Sequence, residues 1–409
     1  MKDLKDIIIT DPTDQDVYKF SMQNMMFVQN LLHDKVAFEF FNRGKTKFPT
    51  GFGDALQYQI NAFAELRFKD YMLDHMLRTM PWLSKEYIEC YLRCFRYDPK
   101  TVTIKQTGSD LYIRTFGDWG DTTFWETQIM PAMSELLNFM CGYDEQTLVS
   151  QPDVLRERDM TKFLGFAMLA AKVSDFGLRR RYSKQRHIDM LTLFKEVAPQ
   201  SLIGTSNLML ARELNLAPHG TIAHEVIMYM AAKYGPLMAN RMTLEHWFNT
   251  YKGELGTILP DTYTTKVFME DFDLMYAKLV DSIREDSAPD PLKYEDDWID
   301  FYQKMKIDSA TKTMIHSNGI NSMELVESML DYRKGELKKA FGIGTWLTND
   351  VYIDGSGLKP VNWVIKMTEA YPMNRIKRYT VKLSDVPGKV TSTNFETVMD
   401  YKFQLGLNE

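Results

Sequence analysis

The chain has 409 residues, of which 44% are hydrophobic and 13% aromatic, and its formal net charge at pH 7 is −6. This length and composition allow a large buried core and two domains, whereas the negative charge argues against a broad nucleic-acid-binding face. The longest uncharged apolar run, residues 163–171, is far shorter than the ~18 residues that a membrane span requires, so we expect no membrane or export segment. Three cysteines without histidines at ligand spacing favour free thiols in a reducing compartment, and we therefore expect a cytoplasmic protein.

Roughly the first 140 residues are predicted to form an α+β region. Residues 11–14, with the sequence DPTD, can cap a helix that runs through Tyr18, Phe20 and Met22. The other elements predicted here are a strand over residues 36–41, a long amphipathic helix over 57–80, a hairpin formed by 102–104 and 111–113, and a helix over 126–140.

From about residue 160, short apolar segments that end in polar residues alternate with helical patterns, which is typical of repeated βα units. The predicted segment ends are Asp175, Thr205, His224, Asp261, Asp286, Ser317 and Gly342. They recur at the spacing of βα repeats, and their number is one short of an eightfold barrel. The pattern therefore predicts a barrel-like parallel sheet.

Two consecutive segments of this region place polar clusters at predicted strand ends. Ser206 and Asn207 follow the strand that ends at Thr205, and residues 221–223 are predicted as a strand that delivers His224 and Glu225. Ligands gather at the carboxyl ends of parallel strands, so we expect these four side chains to face one site.

The pair His224-Glu225 can be read in several ways. A lone histidine beside a strand is more often a hydrogen-bonded structural residue than a functional one. A zinc-protease HExxH motif is excluded, because Met228 stands where the second histidine is needed. What remains is a histidine with an adjacent carboxylate among Gly, Thr, Ser and Asn residues.

Seven segments, in chain order, carry a resemblance to a known family: DVYKFSMQ, DFGLRRR, GTSN, AHE, LPDTYTT, FGIGTWLTND and KLSDVPGK. Together they cover nearly the whole chain and resemble nicotinate phosphoribosyltransferase, the ATP-coupled enzyme of NAD salvage. The resemblance implies that nicotinate and phosphoribosyl pyrophosphate are the substrates. It also implies that ATP takes part with substrate-associated Mg²⁺, and that the protein holds no metal ion of its own.

The resemblance implies an α/β fold with an irregular βα barrel of the type II phosphoribosyltransferase kind. We expect the barrel to span residues 146–354, and an α+β domain to be built from residues 1–145 and 355–409. Two strand-like runs, 363–367 and 379–383, would return to pack with the N-terminal region. Tyr18 would stack on the pyridine ring of a neighbouring subunit, so we expect a homodimer.

The resemblance also assigns roles around the pyridine and the pyrophosphate. Phe176 would stack on nicotinate, and Arg179 would contact both the ring carboxylate and phosphate oxygens, for which a guanidinium is well suited. Thr205 and Ser206 would belong to the substrate site. The related nicotinamide enzyme has an aspartate at the position of Ser206, so a serine here is expected to favour anionic nicotinate.

Further roles concern the phosphates and the ribose. The 5-phosphate is expected on the backbone of Asn318-Gly319 and Gly344-Thr345, since glycine lets backbone N–H groups approach an anion closely. Arg284 would pair with phosphate and Asp286 with the ribose hydroxyls, while Asp261 and Thr262 would orient the arginines or a hydrated Mg²⁺. His224 matches the family's phosphorylated histidine, which accepts a phosphoryl group from ATP.

The chain departs from the family's RxDSGDP pattern, because Ala288-Pro289 interrupts it. Proline does not adopt a positive φ, so the loop must be rebuilt, and either Asp286 or Asp290 could reach the ribose. Three alternatives remain open: a nicotinamide phosphoribosyltransferase, a quinolinate phosphoribosyltransferase, or a non-catalytic phosphoribosyl-binding protein on the same scaffold.

Overall fold

The structure is a computed structural model that describes residues 3–143, 152–351 and 360–407. Apart from short 3₁₀ turns, its N-terminal elements are α1 (Val17–Val28), β1 (Lys35–Asn42), α2 (Phe52–Ala62), α3 (Asp70–Thr79), a π-helical segment (Tyr87–Leu92), β2 (Val102–Thr107), β3 (Asp110–Asp118), α4 (Trp119–Thr122) and α5 (Trp125–Met140).

Parallel strands alternate with helices in the central part of the chain. The elements are α6 (Pro152–Met168), β4 (Val173–Asp175), α7 (Lys184–Val197), β5 (Leu202–Thr205), α8 (Leu208–Glu213), α9 (His224–Tyr234), α10 (Ala239–Tyr251), β6 (Thr257–Ile258), α11 (Thr265–Asp271), α12 (Leu274–Leu279), β7 (Ser282–Glu285), α13 (Pro291–Lys304), β8 (Thr313–His316), α14 (Met323–Asp331), β9 (Lys338–Ile343) and α15 (Thr345–Thr348). The chain then continues through β10 (Trp363–Tyr371), β11 (Arg378–Tyr379) and α16 (Phe395–Gln404).

Two sheets organise the molecule. The antiparallel sheet has the order β11-β10-β1-β3-β2, and the six-stranded parallel sheet has the order β5-β4-β9-β8-β7-β6. Strand β10 pairs with β1 over its whole length, from Trp363 opposite Asn42 to Tyr371 opposite Lys35. The expected return of the C-terminal run to the N-terminal region is therefore confirmed, as is the mixed α/β fold.

The parallel sheet curves around a common interior. Residues from all six of its strands line one cavity: Ser174, Ile203, Thr257, Ser282, Thr313 with Ile315, and Ala340. Among the described residues, β5 and β6 form the two edges of this sheet. The expected boundaries near residues 145 and 354, and the loop predicted at 354–357, lie outside the described residues.

The segment 221–223, predicted as a seventh strand, pairs with no strand; it leads directly into α9, of which His224 is the first residue. A Cβ added at Gly220 would lie 2.7 Å from the backbone nitrogen of Tyr18, so the chain here passes close against α1. This packing replaces strand pairing and leaves the barrel irregular.

Two further predictions about local structure were wrong. The helix predicted over residues 57–80 is two helices, because Phe68 leaves the helical path to pack on the rings of Phe20, Phe95 and Phe124. Helix α1 begins at Val17, and Asp14 binds Arg181 instead of capping it. In the described parts of the chain, none of the helices is long and apolar enough to cross a membrane.

Candidate active site at the strand ends

A large cavity of about 970 Å³ lies at the carboxyl ends of the parallel strands. It brings together nine of the residues predicted from the sequence: Phe176, Arg179, His224, Arg284, Asp286, Asn318, Gly319, Gly344 and Thr345. The cationic residues that line it are Arg43, Arg179, Arg180, Arg284, Lys366, Lys382 and Lys389. Among the described residues, two carboxylates line it, Asp286 and Asp350, so the cavity is suited to ligands with several negative charges.

A second cavity of about 540 Å³ adjoins the first and extends into the barrel interior. Tyr18 and Ser206 line it, and its remaining walls are largely apolar. Phe176, Arg179 and Arg284 line both cavities, so these three residues mark the junction. An apolar chamber with a few polar groups fits a flat ring, whereas the large cavity fits phosphates.

Phe176 follows β4 and is held at the junction by its surroundings. Its backbone N–H donates to the carbonyl oxygen of Ile343 at 2.8 Å, and the Arg284 guanidinium lies 5.5 Å from its ring centroid. A Cβ at Gly342 would fall 2.3 Å from the phenyl ring, so only glycine leaves room for it.

The three consecutive arginines after β4 have different environments. Arg179 and Arg180 line the large cavity, whereas Arg181 is fully buried and forms a bidentate pair with Asp14 at 2.7 and 2.8 Å. Burial alone would raise the pKa of Asp14, but the Arg181 guanidinium holds it below its usual value. Arg181 is therefore a core residue, and a phosphate clamp at this point can use only Arg179 and Arg180.

His224 is in contact with four side chains. Its Nδ1 atom lies 2.9 Å from the hydroxyl of Thr262, and its Nε2 atom lies 2.8 Å from Lys382 Nζ and 3.1 Å from an Asp286 oxygen. Asp261 lies 3.8 Å from Nε2. Thr262 therefore orients the imidazole. Among the described residues, we find no contact between Thr262 and the arginines of the cavity.

The imidazole of His224 is neutral at pH 7, because burial and then the positive charge of Lys382 lower its pKa to about 4. An ammonium group only donates hydrogen bonds, so the contact with Lys382 requires an unprotonated Nε2. The ring proton then resides on Nδ1 and is donated to Thr262. In this arrangement the lone pair of Nε2, at the cavity wall, accepts the hydrogen bond from Lys382.

The structure separates the two aspartates of the altered loop. Asp286 lines the large cavity and accepts a hydrogen bond from Arg284 at 2.7 Å. Asp290 instead accepts the backbone N–H groups of Leu292 and Lys293 and caps α13. Of the two, Asp286 is therefore the one placed to meet a ligand.

The two glycine-containing turns predicted to hold phosphate both face the large cavity. Gly319 has φ +68°, a left-handed conformation that glycine adopts without strain. The Asn318 side-chain oxygen accepts a hydrogen bond from Lys389 Nζ at 2.9 Å, which adds a positive charge beside this turn. Gly344 precedes Thr345 on the neighbouring strand end.

Two comparisons with known proteins bear on this site. A sequence model described as the nicotinate phosphoribosyltransferase (NAPRTase) family matches residues 171–407, and one for the N-terminal domain of the same family matches residues 13–134. The nicotinate phosphoribosyltransferase of Chromohalobacter salexigens is 38% identical over 92% of this chain and 94% of the relative. The chain belongs to the nicotinate phosphoribosyltransferase family.

Solved structures agree with this membership. A crystal structure of nicotinate phosphoribosyltransferase from Porphyromonas gingivalis superposes with a TM-score of 0.91 at 33% identity, covering 98% of this chain and 100% of that one. One from Vibrio cholerae has a TM-score of 0.89 at 29% identity, covering 98% and 94%. The family resemblance, the fold class and the enzyme class predicted from the sequence are thereby confirmed.

Some residues that the sequence predicted for the site line neither cavity. Thr205 is fully buried, lines neither cavity and donates its hydroxyl to Asp175 at 2.6 Å. Glu225 is not a partner of His224; it accepts hydrogen bonds from Trp119 and Thr123 and pairs with Lys19 at 2.6 Å. The reason is that His224 and Glu225 open a helix, in which neighbouring side chains point in different directions.

Asn207 is also absent from the cavity walls. Its side chain caps α8 and donates to Asp14 at 2.8 Å, so it holds two core elements together. Tyr18 lines the second cavity of its own chain, 5.8 Å from the Arg179 guanidinium carbon, and its stacking on the pyridine of a neighbouring subunit stays a prediction.

Sequence reasoning missed several charged residues that line the two cavities, among them Lys382 and Asp16. Lys382 lies in the KLSDVPGK segment, whose position in the family pattern was the only signal for it. Asp16 lies in DVYKFSMQ and lines the second cavity, where it accepts the Ser206 hydroxyl at 2.6 Å. Burial raises the pKa of Asp16 to about 6, against the lowering effect of Arg179.

One cluster among the described residues has the donor set of a metal site: His224, Asp261 and Asp286, whose ligand atoms lie within 4.8 Å of one another. The ammonium of Lys382 is 2.8 Å from His224, 3.2 Å from Asp261 and 3.7 Å from Asp286. Lys382 therefore supplies a positive charge at the centre of this cluster, so the cluster does not require a resident divalent ion for charge balance.

Proposed function

We propose that this chain transfers the 5-phosphoribosyl group of phosphoribosyl pyrophosphate to nicotinate, giving nicotinate mononucleotide and pyrophosphate. The observation that carries the proposal is the meeting of a cationic cavity and a largely apolar cavity at Phe176, Arg179 and Arg284. The reaction joins a pyridine nitrogen to the first carbon of a ribose. A junction between a ring chamber and a phosphate chamber is the geometry that this bond requires.

In the proposed complex, nicotinate occupies the second cavity against Phe176 and Tyr18, with its carboxylate toward Arg179. The 5-phosphate lies on the backbone of Gly319 and Gly344, with the side chains of Asn318 and Thr345 beside it. Both turns end neighbouring strands, β8 and β9, so they can cradle one anion.

The remaining groups of the large cavity act on the ribose and the pyrophosphate. Asp286 accepts the ribose hydroxyls, and its negative charge stabilises the positive charge that develops on the ribose as pyrophosphate leaves. Arg180 and Arg284 contact the pyrophosphate, and Lys382 balances the charge of its oxygens.

We propose further that His224 accepts the γ-phosphoryl group of ATP. The lone pair on Nε2 attacks phosphorus, the bond from phosphorus to the β-phosphate oxygen breaks, and ADP departs. The sequence contains no Walker A motif, so ATP uses the large cavity. Mg²⁺ would be bound to the polyphosphate of the substrate, and Asp286, which lines the large cavity next to the buried Asp261, would be the carboxylate that holds it.

We also propose that the chain functions in the cytoplasm as a homodimer, with a division between residues 1–145 plus 355–409 and residues 146–354. Its three cysteines are free and exposed, which suits a reducing compartment. The proposed partners are small molecules alone, without nucleic acid or membrane.

Nicotinamide is the second candidate substrate, because Asp16 and Ser206 offer oxygen atoms that can accept hydrogen bonds from an amide. A competition assay separates the two: with both bases present, we expect kcat/KM for nicotinate to exceed that for nicotinamide by about a hundredfold, the ratio given by roughly 3 kcal/mol. Ser206→Asp should narrow the ratio by weakening nicotinate. Equal use of both bases by the unmodified protein would overturn the assignment, and absence of pyrophosphate release would favour a binding protein.

A further inference from the structure

The segment 382–389 brings two lysines into the large cavity from the C-terminal part of the chain. Lys382 contacts His224 at 2.8 Å, and Lys389 donates a hydrogen bond to the turn proposed to hold the 5-phosphate. Both lysines line the large cavity, whereas Asp385, which lies between them in the sequence, lines neither of the two cavities described above. Any part that Asp385 has in the reaction must therefore be exerted through other residues.

Both carboxylate oxygens of Asp385 hold the first residue of α11. One accepts the backbone N–H of Thr265 at 2.7 Å, and the other accepts the Thr265 hydroxyl, also at 2.7 Å. Hydrogen bonds to a carboxylate are stronger than those between neutral groups. The contact joins residues 383–385 to residues 262–265, and we call these two segments together the clasp.

Backbone strain is present in both segments of the clasp. Thr264 has φ +74° and ψ 143°, and Ser384 has φ +71°, conformations that residues with a Cβ rarely adopt. Such conformations persist only where surrounding contacts hold them, and they are concentrated at functional sites. The backbone N–H groups of Leu383 and Ser384 both donate to the carbonyl oxygen of Thr262, at 2.8 and 3.3 Å. The bonds across the clasp therefore maintain a geometry that the backbone does not favour by itself.

This geometry places His224 between the two segments of the chain. The Thr262 hydroxyl lies 2.9 Å from Nδ1 of the imidazole, and the Lys382 ammonium lies 2.8 Å from Nε2. Lys382 also lies 3.2 Å from Asp261, which precedes Thr262. Because the lysine and the threonine are each next to or within the clasp, release of the clasp would let them move apart and leave the imidazole without one of its partners.

We propose that Asp385 is a positioning residue for phosphoribosyl transfer, because its contact with Thr265 holds Lys382 and Lys389 in the large cavity. This inference rests on the proposed function and adds to it a residue outside both cavities. Asp385 touches no substrate; it fixes the loop from which the two lysines reach the phosphates.

Steady-state kinetics of the full-length chain test this role. Asp385→Ala removes both acceptors, and we expect KM for phosphoribosyl pyrophosphate to rise about tenfold as the lysine contacts weaken. KM for nicotinate should stay within roughly twofold, because residues 382–389 do not line the second cavity. Asp385→Asn keeps one oxygen for the Thr265 N–H and can donate to its hydroxyl, so it should restore most of the loss. Thr265→Val should raise the same KM to a smaller extent, and Thr265→Ser should not raise it.

Asn394→Ala is the matched control. The Asn394 side chain accepts the backbone N–H and the hydroxyl of Thr397, both at 2.8 Å, which is the same pair of bonds at a helix start outside the two cavities. We expect Asn394→Ala and Asp385→Ala to lower the temperature of thermal unfolding by similar amounts, and only Asp385→Ala to change KM for phosphoribosyl pyrophosphate. An unchanged value in Asp385→Ala, or an equal rise in KM for both substrates, would overturn the positioning role.

A spectroscopic measurement separates this inference from the proposed function. The ¹⁵Nε2 chemical shift of His224 at pH 8 reports the hydrogen bond from Lys382, and Lys382→Met gives its value without that bond. In Asp385→Ala the shift should move toward the value in Lys382→Met, and in Asn394→Ala it should stay at the value of the unmodified chain. If the unmodified chain transfers no phosphoribosyl group, the proposed function fails, and a shift that Asp385→Ala leaves unchanged would overturn the role of Asp385 as well.

Discussion

The Nζ atom of Lys382 lies 2.8 Å from Nε2 of His224, within a buried group that also contains Asp261 and Asp286. Because Lys382 and burial both oppose protonation, the pKa of His224 is lowered to about 4. Lys382→Met removes the cation and leaves the two carboxylates, which raise the pKa of the imidazole. We expect the His224 pKa to rise from about 4 toward its usual value, while burial continues to oppose protonation.

The ¹³Cε1 chemical shift of His224, followed by NMR between pH 4.5 and pH 8, measures this change. In the unmodified protein, His224 should stay neutral down to about pH 5, and in Lys382→Met it should become protonated at a clearly higher pH. ATP-dependent stimulation in the variant should fall as the pH decreases through the new pKa, because a protonated imidazole has no lone pair for attack. Lys366→Met, which removes another cavity lysine, is the control; the same pKa in all three proteins would contradict the role of Lys382.

Nicotinate binding should depend on the protonation of Asp16. Its pKa is raised to about 6, so the carboxylate is charged at pH 8 and largely protonated below pH 6. Loss of this negative charge favours an anionic ligand, and KM for nicotinate should fall roughly fivefold between pH 8 and pH 5.5, corresponding to about 1 kcal/mol. Asp16→Asn should give the low KM at every pH. A KM that is flat with pH in the unmodified chain would show that Asp16 does not face the ring.

The phosphate cradle makes a prediction for Gly344. A Cβ there lies 3.3 Å from the carbonyl oxygen of Phe176 and narrows the approach to the backbone. Gly344→Ala should raise KM for phosphoribosyl pyrophosphate about tenfold, by weakening one or two charge-assisted hydrogen bonds, and Gly344→Val should raise it further.

Gly117→Ala is the matched control for this substitution. Its Cβ meets Thr122 at 3.1 Å, a comparably tight contact in β3, which contributes to neither cavity. We expect similar losses of stability for both alanine variants and a change of KM only for Gly344→Ala. Equal KM values would place the 5-phosphate elsewhere.

We expect Glu225 to stabilise the fold and to have no direct part in the chemistry. It is buried and paired with Lys19, which is itself fully buried and also lies 2.9 Å from Glu126. Glu225→Ala leaves part of the Lys19 charge uncompensated and should lower the free energy of unfolding by about 3–5 kcal/mol. Urea denaturation measures this change. A variant with unchanged stability but no activity would show instead that Glu225 takes part in the chemistry of the site.

The sequence predicted the parallel strands of this fold well, but it did not predict where packing between distant parts of the chain interrupts a strand or a helix. Six of the seven predicted βα segments are strands, because buried parallel strands are short apolar runs bounded by polar residues. The remaining segment, residues 221–223, has the same local pattern, yet it follows the close approach of Gly220 to α1 and pairs with no strand. The end of the helical path at Phe68 has a similar cause, because Phe68 packs on aromatic rings that are distant in the sequence.

The residues of the site, too, could be predicted only where local sequence places them. Gly319, Gly344 and Asp286 could be found because strand ends bring them to one edge of the sheet. Arg181 and Arg179 are indistinguishable in the sequence, yet one pairs with Asp14 in the core and the other faces the ligand cavities. Lys382 and Asp16 come from opposite ends of the chain. Their approach to His224 and Ser206 depends on the return of β10 and on the start of α1, which no local pattern contains.

Transfer of phosphate from ATP to His224 is the central claim, and site mapping by mass spectrometry tests it most directly. The protein is incubated with ATP and Mg²⁺, digested under neutral conditions that preserve phosphohistidine, and its peptides are sequenced. We predict one phosphoryl group on His224 Nε2 and none in His224→Ala, which should keep some slow ATP-independent transfer because the phosphate cradle is separate from the imidazole. Phosphate on another residue, or an unmodified His224 under turnover with ATP, would contradict the account.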